Sequence, residues 1–291
     1  MGKFEPTNGA ELLGNFESGT SEWHELRADG IGGSEIGTIL GLNPWESPYF
    51  LWASKTGQLA PKVLDSFAVK LGNFLEPVII EKIIPDAHPD WYLETVGTYQ
   101  HPTIPYLHAN PDAVALIDGE WVVVEIKTSR NYFQTLPPHY EAQTRHYMNV
   151  LGLKRAVVIG LVGMDYVEFW LEHDEFEAQV IEQRAAEFWQ GVVDCVAPTF
   201  DGAESTYEAV REMHPDIDGT EVEIDWLHQL GNAQTEFDEA EAKLRKLKSE
   251  TLNCMGKAQH AYIEHNGERI RVASRRASKG KPYLVIHKGK L

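Results

Sequence analysis

Within HANPDAVALIDGEWVVVEIKTSR, residues 108–130, two acids and a lysine fall where an extended hairpin would gather them. Asp112 opens one run, DAVALID, and Glu125 and Lys127 stand two apart in the next, EWVVVEIKTS, with Asp118-Gly119 as the turn between them. Side chains alternate along a strand, so Glu125 and Lys127 share one face and Ile126 takes the other, toward a core. Two carboxylates are hard oxygen ligands suited to Mg²⁺, which keeps several waters, and a lysine beside them can orient a water or help deprotonate it. The chemistry of that set is metal-dependent hydrolysis of a phosphodiester. An exposed strand edge also carries Glu and Lys for solubility, which is the competing reading. Against it, Glu125 stands in the otherwise apolar run from Trp121 to Ile126, where an uncompensated carboxylate is costly and a cation would explain it.

Glu76, in LGNFLEPVI, is a candidate third carboxylate supplied by a helix; the competing reading is a surface charge beside Pro77. In PPHYEAQTRHYMNVLG, Tyr140, Gln143 and Tyr147 fall at i, i+3 and i+7 on one helix face. Tyr140 and Gln143 could turn polar tips to the site, with Tyr147 and Met148 entering the core. His139 and His146 read as capping or surface residues as readily as ligands, and no H-x-x-x-H pattern or nearby cysteine supports zinc.

The glycine-rich stretch GIGGSEIGTILG, residues 30–41, looks like a phosphate cradle. It lacks the Gly-Lys-Ser/Thr of a mononucleotide loop, and the polar, helix-like SEWHELRAD before it is not the strand a dinucleotide fingerprint needs. It reads instead as a close backbone approach into a short helix capped by Ser34, where free N–H groups and the hydroxyl could hold an anion with help from Arg27. The alternative is a helix entry turn with no ligand.

Helices are expected over 21–27, 34–40, 48–56, 66–82 with a break or kink at Pro77, 137–150 and 174–192. Strands are expected in WYLETVGTYQ, the DAVALID/EWVVVEIKTS hairpin, RAVVIGLVG and YVEFWLEH. This order implies an α/β core with a central mixed sheet flanked by helices. Residues 1–20 read as an arm ordered by packing, and 198–220 show little period. A charged helix over 233–256 and an antiparallel ribbon, AYIEHNGERIRVASRR with KPYLVIHKG, complete the chain. The expected division is a core with its arm, 1–197, and a helix-and-ribbon appendage, 198–291.

A chain of 291 residues with mean hydropathy −0.33 reads as a soluble globular protein, with neither a secretion signal nor a membrane span. Two cysteines are too few for a disulfide scaffold, and an intracellular, reducing setting fits. The net charge of −18 argues against a polyanion grip spread over the whole surface, but the C-terminal stretch is locally basic.

Four segments in order, WHELRADGIGGSEIGTILGLNPW, LGNFLEP, NPDAVALIDGEWVVVEIKTS and PPHYEAQTRHYMNVLG, resemble the YqaJ-like viral recombinase group, which includes lambda exonuclease. That group lies in the PD-(D/E)XK nuclease superfamily, and the likeness spans about residues 21–195. The resemblance implies a PD-(D/E)XK core and a Mg²⁺-dependent exonuclease, with one or two ions and Mn²⁺ as an alternative. Such an enzyme degrades the 5′-ended strand of linear duplex DNA and leaves a 3′ overhang for a phage single-strand annealing protein. It puts Glu76, Asp112, Glu125 and Lys127 in the catalytic site, with the Ile126 carbonyl as a further ligand, Gln143 and Tyr140 beside it, and Arg27 and Ser34 on the 5′-phosphate. It further implies a homo-oligomeric ring, a trimer in the family, and a phage or prophage protein in the cytoplasm of a bacterial host. A structure- or site-specific endonuclease and a noncatalytic DNA-end-binding scaffold are the competing functions.

Overall fold

The computed structural model describes residues 3–16, 19–60, 66–163 and 165–287. Residues 1–2 and 17–18 of the expected arm and 288–289 of the expected ribbon lie outside them. Two compact units divide the chain, Met1–Asp216 and Ile217–Leu291.

The first unit opens with β1 (Glu11–Gly14), and the arm before it is anchored by Phe4, buried edge-on against Tyr99 and Trp121. Then come α1 (Ser21–Ala28), the two-residue strand β2 (Ile31–Gly32), α2 (Gly33–Ile39) and α3 (Pro48–Lys55). Helix α1 precedes the glycine stretch, as expected, and a two-residue strand lies within it, Ile31 and Gly32 pairing in parallel with Leu107 and His108. One expectation for the stretch is corrected. Ser34 is not the cap: Gly32 holds that position, and the Glu35 carboxylate closes the turn by accepting from the Gly32 amide at 2.9 Å. A carboxylate three residues into the helix satisfies the amide of the cap residue itself.

Next are α4 (Phe67–Val78), a π-helical turn at Ile79–Ile83 and α5 (Ile84–Ala87). Pro77 sits inside α4, where it has no amide to donate, and the helix widens directly after it without stopping. The expected strand WYLETVGTYQ splits into β3 (Tyr92–Glu94) and β4 (Thr98–Gln100), which enter different sheets. After β5 (Leu107–Ala109), strands β6 (Ala113–Ile117) and β7 (Glu120–Ser129) form the hairpin, with positive φ at both Asp118 (52°) and Gly119 (84°). That geometry matches the right-handed twist of the strands. The unit continues through α6 (Pro138–Leu151), β8 (Arg155–Val162), β9 (Asp165–Glu172), α7 (Glu175–Val193) and α8 (Glu204–Met213). Helix α8 lies in a stretch read as aperiodic. It is held by nonlocal bonds, from the Ser47 amide to Ser205 Oγ (3.0 Å) and from Thr206 Oγ1 to Ser47 Oγ (2.7 Å), which no local pattern carries.

A five-stranded mixed sheet runs β3-β6-β7-β8-β9, with β7 and β8 parallel and the other pairs antiparallel; β1-β4-β5-β2 form a second sheet. Both faces of β7 are covered. Val123 joins the core containing Met148 and Leu151 of α6, whereas Val122, Val124 and Ile126 join Ile79, Ile80 and Ile84 on the other side. Strand parity therefore puts Glu125 on the α6 side, under cover.

The second unit contains α9 (His228–Met255) and a three-stranded antiparallel ribbon, β10 (His260–His265), β11 (Glu268–Ser278) and β12 (Lys281–Ile286). Its turns carry positive φ at Asn266-Gly267 and Lys279-Gly280.

Candidate active site

Glu125 is 2% exposed. Its Oε1 accepts from Lys127 Nζ at 2.5 Å, the neighbour that strand alternation supplies, and from Gln143 Nε2 of α6 at 2.8 Å. Its Oε2 is buried and has no hydrogen-bond partner among the described residues. Asp112, at the entry to β6, accepts from the Ile126 amide at 2.6 Å, which ties it across the hairpin to β7. Burial, reinforced by repulsion from Glu125 and Glu76, holds the Asp112 carboxyl well above the usual carboxylate range despite Lys127 and the Ile126 amide. Glu76 is raised for the same reasons, burial first and then Glu125. Burial pushes Lys127 down, but Glu125 and Asp112 outweigh it, so its pKa is raised and it stays an ammonium.

Helix α6 supplies the opposite wall. Tyr140 lies beside the site, with Lys127 Nζ over its ring, 5.0 Å from the centroid. Tyr147 packs into the core as expected, yet its hydroxyl accepts from Gln143 Nε2 at 3.0 Å and so joins the Glu125 network. Helical spacing put Tyr147 on the face of Gln143, and their bond lies within α6; only the link onward to Glu125 depends on the sheet opposite. His146 is no surface residue: it is fully buried, its Nε2 bonds the His108 carbonyl at 2.9 Å, and burial lowers its pKa to about 4. His139 is partly buried, edge-on to Trp45.

Arg27 and Ser34 also meet, Arg27 Nη1 donating to Ser34 Oγ at 3.3 Å, with the guanidinium 4.7 Å from the Trp23 ring centroid. The organiser of this corner is a pair that sequence reading missed. Glu35 is 4% exposed; its Oε1 binds Arg27 Nη2 at 2.7 Å, and its Oε2 binds Lys55 Nζ at 3.0 Å as well as the Gly32 amide. Buried Lys55 also donates to the carbonyls of Arg27 and Gly30, both at 2.6 Å. Burial would raise the Glu35 pKa, but Lys55 and Arg27 together overcome it and hold the carboxyl low. Burial, with repulsion from Arg27, outweighs the attraction of Glu35 and Glu46, so the Lys55 pKa falls.

The glycines of this stretch have a packing role. A Cβ on Gly33 would lie 2.3 Å from Tyr147 Cε1, and one on Gly37 would lie 2.8 Å from His139 Cβ. Their absence lets α2 settle onto α6, which brings the Arg27 corner against the helix that supports Glu125.

A hard divalent cation fits the hairpin site. The orphaned Glu125 oxygen has a free lone-pair face, and the mutual repulsion of Asp112, Glu76 and Glu125 is what positive charge relieves. Among the described residues, no group of three or more His, Cys, Asp or Glu is gathered closely enough to hold a metal alone. A cation at Asp112 and Glu125 would complete its shell with main-chain oxygen, water and substrate, as Mg²⁺ commonly does.

A mixed sheet with an acidic hairpin, flanked by helices, defines a PD-(D/E)XK-like fold. Residues 22–154 match the family model of the YqaJ-like viral recombinase domain. It is 29% identical over 273 residues to the Bacillus subtilis (strain 168) protein named "Uncharacterized protein YqaJ", covering 87% of this chain and 84% of the relative. Among solved structures, an alkaline exonuclease from Laribacter hongkongensis, LHK-Exo, shares the fold with a TM-score of 0.50 at 20% identity, over 61% of this chain and 94% of that one. The same exonuclease in complex with dAMP gives the same values.

Proposed function

We propose that the protein is a metal-dependent deoxyribonuclease that resects linear duplex DNA 5′ to 3′, leaving 3′ single-stranded ends for strand annealing. The observation that carries this reading is the buried, unpartnered Glu125 oxygen, set among carboxylates and beside an ammonium. The YqaJ-like domain and the fold shared with an alkaline exonuclease support it.

Asp112, Glu125 and Glu76 would hold one or two Mg²⁺ ions, or Mn²⁺ in their place, with the Ile126 carbonyl as a further ligand. When bound, the cation supplies an activated water and neutralises charge on the phosphate. Lys127, whose pKa its acidic neighbours raise, orients the attacking water or helps deprotonate it. Gln143 fixes Glu125 Oε1 and so leaves Oε2 turned to the cation, while the Tyr140 ring supports the Lys127 ammonium. In-line attack forms a bond from water oxygen to phosphorus and breaks the bond to the 3′ oxygen, which leaves with a proton. Arg27 and Ser34 receive the 5′-terminal phosphate, Arg27 being partly exposed beside its bond to Glu35. Family resemblance adds a homo-oligomeric ring, a trimer, and a phage annealing protein as partner, in the cytoplasm of a bacterial host. Among the described residues, no helix is long and apolar enough to cross a membrane.

The test is a Mg²⁺ titration on linear duplexes bearing 5′-phosphate or 5′-hydroxyl ends, beside a closed circle, with products resolved by strand. The expected result is metal-dependent loss of the 5′-ended strand and an intact circle. A cleaved circle would make the enzyme an endonuclease, and no hydrolysis at any metal concentration would leave a scaffold.

A further inference from the structure

The charge of this chain is divided unevenly. Residues 257–291 contain nine of its 26 Lys and Arg but only two of its 44 Asp and Glu, an excess of seven positive charges within a protein of net charge −18. Elsewhere some cations are neutralised in pairs, such as Arg145 with Glu141 and Glu177, or Arg245 with Glu241, while others, such as Arg130 and Lys154, form no ion pair among the described residues. In the ribbon, Arg269, Arg271, Arg276, Lys279 and Lys281 form no ion pair among the described residues. Arg269 has Glu264 opposite it in the strand register, and even that carboxylate makes no ion pair with it.

Aromatic rings accompany these cations. The guanidinium carbons of Arg269 and Arg271 lie 4.3 and 5.8 Å from the Tyr262 ring centroid, so all three side chains share one face of the β10-β11 pair. Tyr262 is 38% exposed and borders a cleft of about 520 Å³ lined also by His260, Ile263, Glu264, Gly267 and Arg269. Across the other pair, Tyr283 of β12 stands opposite Arg276 and is 45% exposed. A duplex backbone offers phosphates but no free base faces to exposed rings. Accessible rings beside unneutralised guanidinium groups suit a strand that presents both phosphates and unstacked bases.

We propose that the β10–β12 ribbon is a binding platform for single-stranded nucleic acid, with Arg269, Arg271 and Arg276 on phosphates and Tyr262 and Tyr283 stacking on bases. This site is built wholly within the Ile217–Leu291 unit and needs neither the metal nor cleavage, so it stands apart from the nuclease reading.

The experiment measures fluorescence anisotropy of a labelled oligothymidylate with the full chain in EDTA across a salt series, beside a duplex of equal length. The single strand is expected to bind more tightly than the duplex. Replacing Arg269, Arg271 and Arg276 together by Ala is expected to weaken binding at least about tenfold and to reduce the slope of log affinity against log salt by about 2, roughly 0.7 per lost phosphate contact. The matching triple change to Lys restores that slope, and unchanged melting temperatures separate these effects from unfolding. Tyr262→Ala weakens binding by about fivefold to a hundredfold with little change in slope. Wild-type affinity in the triple Ala variant or in Tyr262→Ala, or equal affinity for duplex and single strand, would overturn the proposal.

Discussion

Two glutamates, Glu35 and Glu125, are buried to nearly the same degree, each bonded to a lysine, and they differ in how their oxygens are satisfied. Both oxygens of Glu35 are satisfied by Arg27, Lys55 and the Gly32 amide, and its pKa is held low. Glu125 spends Oε1 on Lys127 and Gln143, leaves Oε2 without a partner, and raises the pKa of the carboxyls around it. Saturation marks a carboxylate whose work is structural. An unsaturated one at equal depth retains capacity for a ligand, at a cost in stability that the fold carries elsewhere.

Exchanging each acid for its amide separates the two most sharply. Glu125→Gln is expected to cut hydrolysis of linear duplex by about a thousandfold or more, as loss of a central catalytic group does, while leaving the melting temperature unchanged or higher. Glu35→Gln is expected to do the reverse, costing about 3–5 kcal/mol in denaturant unfolding because buried Lys55 loses its counter-ion. Equal destabilisation by the two changes would dissolve the contrast.

A smaller effect should follow from Gln143→Leu, which removes the donor fixing Glu125 Oε1. The metal concentration for half-maximal rate should rise about tenfold to a hundredfold, the range for lost ligand-orienting bonds. Arg27→Ala should cost about 1.5–3 kcal/mol of selectivity for 5′-phosphorylated over 5′-hydroxyl ends, one charge-assisted contact. Retained selectivity in both Arg27→Ala and Ser34→Ala would remove this corner from end recognition.

The smallest expected effect is on metal-free stability against pH. Glu35 is lowered in the fold, so its support is present above the ordinary value of 4.5 and is lost as pH falls through its folded value. Asp112 is raised, so the folded state keeps a proton that the unfolded chain has released. Its contribution therefore weakens as pH climbs from 3.8 through its folded value. Melting curves of Glu35→Gln should lose part of the acid limb, and those of Asp112→Asn should lose part of the decline at higher pH.

Local pattern carried the hairpin: the Asp118-Gly119 turn and strand alternation were enough to set Glu125 beside Lys127, and helical spacing set Gln143 and Tyr147 on one face. Features made by distant residues meeting were not readable. Glu35 finds Lys55 from another helix, α8 is held by bonds to Ser47, and the Tyr147 hydroxyl reaches the site only because α6 lies on β7. The packing role of the glycine stretch was hidden for a related reason: Gly33 and Gly37 are shaped by Tyr147 and His139, more than a hundred residues away.

The most direct test is thermal unfolding of the wild type, Glu35→Gln and Glu125→Gln across a Mg²⁺ or Mn²⁺ series. A cation held by the native state raises the melting temperature with concentration. The wild type and Glu35→Gln should show that rise, from different starting points, and Glu125→Gln should not. A metal-dependent rise of wild-type size in Glu125→Gln would contradict the assignment of this carboxylate as the cation's ligand.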